Sequence, residues 1–139
     1  MKTRDVMTAN PITVAPETTL AEVWDLMREA DIRHVPVTRQ RVLIGMLSDR
    51  DLASLDVGRV LTSEGADALR QALGTPVISV MSSDVISVEP EADLGDVIDL
   101  MLENKVGAIP VVFPDTREIV GIVSYVDVLR AVQDQVAEE

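Results

Sequence analysis

Apolar residues change their period several times in the first third of the chain. Ile12-Thr13-Val14 is β-branched and alternating, which predicts a short strand. Thr19-Leu20-Ala21-Glu22 has the form of a capping box, and Leu20, Val23, Trp24, Met27 and Ala30 then follow helical spacing, so a helix is expected over 19–30. Trp24 is expected on its inner face. Val35-Pro36-Val37 predicts a second short strand, and the apolar run Val42 to Leu47 a third. Ser48 to Leu55 predicts a second helix. Further on, Glu64 to Leu73 reads as an extra helix, stopped by Gly74 with Thr75-Pro76 behind it.

The same order then recurs. Shifted by 74, residues 6–37 fall on residues 80–111, and 14 of those 32 positions are identical. The matches include Val6-Met7 with Val80-Met81, Pro16-Glu17 with Pro90-Glu91, Asp25-Leu26-Met27 with Asp99-Leu100-Met101 and Pro36-Val37 with Pro110-Val111. A loop two residues longer around Pro114-Asp115-Thr116 moves the shift to 76, and Gly45, Ser48 and Asp51 fall on Gly121, Ser124 and Asp127. Asp93 and Asp96 stand where the first copy has its capping box. The expected fold is therefore mixed α/β (α+β): two pseudo-symmetric βαββα repeats packed sheet to sheet. The expected boundaries are 1–58 for the first repeat, 59–76 for a helical linker and 77–139 for the second.

Composition narrows the function. At 47% apolar residues, 139 residues can bury a core. A formal net charge of −12 argues against nucleic acid and anionic membrane surfaces, both of which need clustered Lys and Arg. With no cysteine there is no disulfide, thiolate metal site or cysteine nucleophile, and a single histidine leaves no triad or zinc cluster. The glycines form no phosphate-binding fingerprint. No apolar run approaches the roughly 18 to 20 residues that span a bilayer. Met1-Lys2-Thr3-Arg4-Asp5 leads into no secretory h-region, so the cytoplasm is the expected compartment. Nothing here predicts an enzyme.

Val6-Met7, Pro16, His34-Val35-Pro36-Val37 and Gly45-Met46-Leu47-Ser48-Asp49-Arg50-Asp51-Leu52 together resemble a CBS repeat. Val80-Met81, Pro90, Ala108-Ile109-Pro110-Val111 and Gly121-Ile122-Val123-Ser124-Tyr125-Val126-Asp127-Val128 carry the same landmarks again. The helical insert is similar to that of stand-alone CBS pairs of the acetoin-utilisation type. The resemblance implies a Bateman module with nucleotide clefts between the repeats, often dimerised into a disc. Such modules bind AMP, ADP, ATP or S-adenosyl compounds as regulatory ligands, and sense energy state for a partner protein. It also implies ligand contacts from the first and second strands: Ile12, Thr13, His34, Val35 and Pro36, with Ile86, Ser87, Ala108, Ile109 and Pro110.

The chemistry of the repeated Ser-x-x-Asp suits that ligand. The carboxylates of Asp51 and Asp127 can accept hydrogen bonds from both ribose hydroxyls, and Ser48 and Ser124 can bond phosphate at a helix start. The same pattern is also a plain N-cap with an acid in the first turn, and both readings stay open. Pro36 and Pro110 cannot donate to a ladder, so each belongs at an edge where backbone groups are left for a ligand. The copies differ in charge: residues 1–74 carry a net −2 and residues 75–139 a net −10. Arg33, His34 and Arg50 in copy one face Gly107, Ala108 and Val126 in copy two. Copy one is thus expected to hold the phosphate-competent site. Copy two is either empty or open to a ligand of less negative charge. The alternative function is a ligand-free interaction or dimerisation scaffold with decayed nucleotide sites. A second copy of the chain is the expected partner, because the apolar positions from Val126 to Val136 occupy more than one helical face.

Overall fold

A computed structural model of the chain describes residues 1–53 and 65–137. Residues 54–55 of the expected second helix, Glu64 of the extra helix and residues 59–64 of the expected linker lie outside the described residues. The chain divides into two compact units: Ile12–Gln40 with Ile44–Val85, and Met1–Pro11 with Arg41–Leu43 and Ile86–Glu139.

In the first of these, helix α2 (Leu20–Ala30) begins as its sequence dictates. Thr19 Oγ1 accepts from the Glu22 N–H at 3.3 Å, and the Glu22 carboxylate accepts from the Thr19 N–H at 2.9 Å. The helix buries Leu20, Val23 and Met27, one stripe at helical spacing. It stops at Asp31, which is left-handed with φ 53° and donates its N–H to Met27 O. Strands β2 (His34–Arg39) and β3 (Val42–Ser48) form a two-stranded sheet, and β3 alternates buried and half-buried along its length. Short helix α3 (Asp49–Ala53) follows directly, then α4 (Gly65–Leu73) and a 3₁₀ turn at Val77–Ser79. Val14, Leu20, Val23, Met27, Val35, Val37, Leu47, Leu52 and Val77 make the core.

The strand expected over 12–14 is reduced to one parallel bridge, Val14 to Val37. Val14 donates to Pro36 O at 3.1 Å and accepts from the Thr38 N–H at 2.9 Å. The next bond of a parallel ladder would run from the N–H of residue 36 to the carbonyl of residue 12. Proline has no N–H, so the ladder ends there. Trp24 corrects its expectation as well: it is 44% exposed. It stands one position beyond Val23, turned about 100° away from the buried stripe.

The other unit carries helix α1 (Thr3–Val6), strand β1 (Thr8–Ala9), helix α5 (Leu94–Asn104), strands β4 (Ala108–Val112) and β5 (Ile119–Ser124), and helix α6 (Tyr125–Ala137). Its antiparallel sheet has the order β1-β5-β4, with Ala108 opposite Ser124 and Thr8 opposite Ile122. Helix α5 buries Leu94, Val97 and Met101, the counterparts of the α2 stripe, and ends at left-handed Lys105, the counterpart of Asp31. Val88 bridges Val111 as Val14 bridges Val37, and Pro110 ends that ladder in the same way. One device differs. Asp93 makes no cap bond to its helix, because its carboxylate accepts from the Lys2 ammonium at 2.9 Å.

Candidate functional site

Each Ser-x-x-Asp closes the turn between a strand and the helix after it. In the first copy the Asp51 carboxylate accepts the Ser48 N–H at 2.8 Å, and Ser48 Oγ accepts the Asp51 N–H at 3.3 Å. In the second, Asp127 Oδ2 accepts from the Ser124 N–H at 2.9 Å and from Ser124 Oγ at 3.1 Å, while Ser124 Oγ accepts the Asp127 N–H at 3.3 Å. The cap reading of this motif is therefore true of both copies. It leaves the four side chains half-buried rather than sealed.

Each turn is tied to the entry of the preceding strand. The Asp49 N–H donates to Arg33 O at 2.9 Å, and the Tyr125 N–H donates to Gly107 O at 2.9 Å. The first tie brings Arg33 and His34 to the start of α3. Burial pushes the His34 imidazole below its ordinary pKa; Asp49 and Asp51 pull the other way, and Arg33 and Arg50 add to the fall. Arg33 is the neighbour of His34 in the chain, and Asp49, Arg50 and Asp51 stand on the first turn of the helix to which Arg33 O is bonded. Arg33 and Arg50 are exposed and His34 half-buried, so the charged groups of copy one share one accessible place.

The aliphatic candidates separate by depth. Val35, Pro36 and Ile109 are fully buried, and Ala108 and Pro110 are buried, so their side chains belong to the cores and only their main chain can meet a ligand. Ile12 is 43% exposed, and Thr13, Ile86 and Ser87 are half-buried. Ile12 and Ile86 are the positions at which Pro36 and Pro110 end the parallel ladders. In the N-terminal copy, Ile12, Thr13, Arg33, His34, Val35, Pro36, Ser48, Arg50 and Asp51 all fall within one compact unit. Ile86, Ser87, Ala108, Ile109, Pro110, Ser124 and Asp127 all fall within the other.

Two residues absent from the sequence reading join the second set. Thr8 Oγ1 donates to Asp127 Oδ1 at 3.3 Å. Arg130 lines a cavity of about 630 Å³ together with Met1, Asp5, Val6, Asp127, Ala131, Asp134 and Gln135, a size suited to a small ligand. The repeat carried a signal for Thr8, which falls on Ser82 directly after the matched Val-Met pairs. Arg130 stands on Ser54, outside the described residues, and had no such pointer. No group of three or more His, Asp or Glu side chains suited to a metal ion occurs among the described residues.

The model of one family, described as CBS domain, matches residues 4–58 and again residues 77–134. The chain belongs to the CBS-domain family. It is a tandem CBS pair. It is 36% identical over 124 residues to the CBS domain-containing protein YhcV of Bacillus subtilis, covering 89% of this chain and 80% of that one. The chain spans less than half the length of three other curated relatives, two proteins of Methanocaldococcus jannaschii and one of Thermofilum pendens. A candidate acetoin utilization protein, AcuB, from Vibrio cholerae superposes with TM-score 0.81 at 33% identity, covering 99% of this chain and 93% of that one. CBSX2, solved in complex with AMP, superposes with TM-score 0.79 at 28% identity and 96% coverage of both chains. No helix among the described residues is long and apolar enough to cross a membrane.

Proposed function

We propose that this CBS pair is a regulatory, non-catalytic module that binds an adenine nucleotide and passes its occupancy to a partner protein. The observation that carries the reading is the arrangement of copy one. The bond from the Asp49 N–H to Arg33 O brings Arg33 and His34 to the Ser48-x-x-Asp51 turn that carries Arg50, in the same compact unit as the backbone at Ile12 where Pro36 ends the ladder. Guanidinium groups supply the donors and charge a phosphate needs, and a carboxylate supplies acceptors for a ribose. The AMP complex of CBSX2 supports an adenine nucleotide as the ligand class. AMP, ADP and ATP fit copy one, with its three basic side chains. A ligand of less negative charge, from AMP to an S-adenosyl compound, fits the acidic copy two.

The second copy of the chain is the proposed partner in a homodimer. Helix α6 has no buried residue, and Tyr125, Leu129, Val132 and Val136 are 48%, 61%, 40% and 61% exposed at i, i+4, i+7 and i+11. A 13-residue helix is marginal on its own, so such a stripe is stabilised by a second apolar surface. Replacing Leu129 with Glu is expected to yield monomers in sedimentation; an unchanged mass would move the interface elsewhere.

Thermal unfolding against AMP, ADP, ATP, S-adenosylmethionine and NAD tests the ligand. At about 100 times its dissociation constant a ligand adds about 2.7 kcal/mol, a rise of roughly 5 to 10 °C for a chain this size. A rise that vanishes in Asp51→Ala supports the sensor reading at copy one. No rise with any of them, from ligand-free protein, would favour the interaction scaffold instead.

A further inference from the structure

The geometry points to Thr8 as a specificity-determining residue of the C-terminal copy, its hydroxyl standing on Asp127 in a position that a ribose diol needs. This rests on the nucleotide reading above and goes beyond it by naming the group that competes with the ligand.

A carboxylate offers about four lone-pair positions, two on each oxygen. On Asp127, Oδ2 has both taken, by the N–H and the hydroxyl of Ser124. Oδ1 has one taken, by the Thr8 hydroxyl. One position is left, and a vicinal diol donates two hydrogen bonds. A full ribose therefore binds there only if one protein bond yields. The Ser124 bonds belong to a ring closed within a single turn, since Ser124 Oγ also accepts the Asp127 N–H. Breaking the first strands a half-buried backbone N–H, which is costly, and the second holds a half-buried hydroxyl at 3.1 Å, shorter than the 3.3 Å bond of exposed Thr8. Thr8 is exposed, and its hydroxyl can turn to water while its backbone stays paired with β5. Thr8 is the bond that yields.

A ligand with a single ribose hydroxyl needs only the position already open. Thr8 thus penalises ribonucleotides at this copy and leaves 2′-deoxyribonucleotides unaffected. Removing the hydroxyl should restore the preference for the diol.

Titration calorimetry of AMP and 2′-deoxy-AMP with the full chain, Thr8→Val and Thr8→Ser tests this. Valine keeps the β-branched shape without the donor, and serine keeps the donor. In Thr8→Val, AMP should bind the Asp127-dependent site roughly three- to tenfold more tightly, the value of one exchanged hydrogen bond. The 2′-deoxy ligand should change less than about twofold, and Thr8→Ser should behave as wild type. Asp127→Ala in the Thr8→Val background should abolish the tightened site. AMP binding in Thr8→Val that is unchanged or weaker, or a gain equal for both ligands, overturns the role of Thr8. Binding that depends on Asp51 alone in both proteins overturns it while leaving the nucleotide reading intact. No binding of either ligand by any of the proteins sinks both.

Discussion

Met7 lies across Gly121 so closely that a β-carbon at that glycine would collide with its thioether, and would stand 3.1 Å from the Thr8 carbonyl oxygen as well. The same relation holds between Met81 and Gly45, where the three nearest atoms all belong to the methionine side chain. A thioether can swing aside; a carbonyl paired in a sheet cannot. Gly121→Ala is expected to cost about 1 to 3 kcal/mol by overpacking, and Gly45→Ala less, in paired urea melts. Equal losses would refute the part given to the Thr8 backbone.

Asp31 and Lys105 both end their helices in the left-handed region, at φ 53° and 54°. Side chains with a β-carbon are disfavoured there. Lys105→Gly should stabilise the protein by about 0.5 to 1 kcal/mol, read as a higher denaturation midpoint at constant slope. A lower midpoint would mean that the Lys105 side chain carries a contact of its own.

His34 makes the fold sensitive to mild acid. Its pKa is depressed, chiefly by burial, so the folded state prefers the neutral ring. The stability this gives is present above the ordinary imidazole value and is lost as pH falls through the lower folded value. Unfolding measured from about pH 7.5 to about pH 5 should show a decline that flattens in His34→Gln. If the variant keeps the same slope, the carboxylates are responsible instead. A bound phosphate would favour the charged ring, so AMP should bind copy one more tightly at the acid end.

Lys2 holds the Asp93 carboxyl below its usual range, through a hydrogen bond and then through charge. Lys2→Ala should let the Asp93 titration move up in an NMR pH series, and added salt should reproduce part of the change in the wild type. Both groups are exposed, so the melting temperature should barely respond. A fixed Asp93 titration would show that the ion pair is not formed in solution.

Much of this was legible because each copy repeats its own local signals. The Thr19 box, the Leu20-Val23-Met27 stripe and the Ser-x-x-Asp turns are short-range chemistry, readable within a few residues. What was not legible depends on distant parts of the chain. Nothing in Thr3-Arg4-Asp5-Val6-Met7-Thr8 is periodic, and its partners are Pro90, Ala92 and Ile122. Asp93 looks like a cap until Lys2, remote in sequence, claims it. Trp24 looked like core because its spacing fits a helix, but spacing does not say how wide the buried stripe is. The bond from Thr8 to Asp127 joins the two ends of the chain, and only the repeat register hinted at it.

The first residues bear on how such a chain can change over generations. The Thr3 N–H and hydroxyl both donate to Ala92 O, at 2.8 Å each, and the Leu94 N–H donates to Met1 O at 2.9 Å. Residues 1–11 thus complete the unit formed by the later repeat, although they are encoded at the start of the earlier one. The stretch that was duplicated is not the stretch that holds together. A recombination cut at the repeat boundary would leave one product with an idle leader and the other without its edge strand. Each half can drift in sequence, as their unequal charge shows, while residues 1–11 stay tied to the later one.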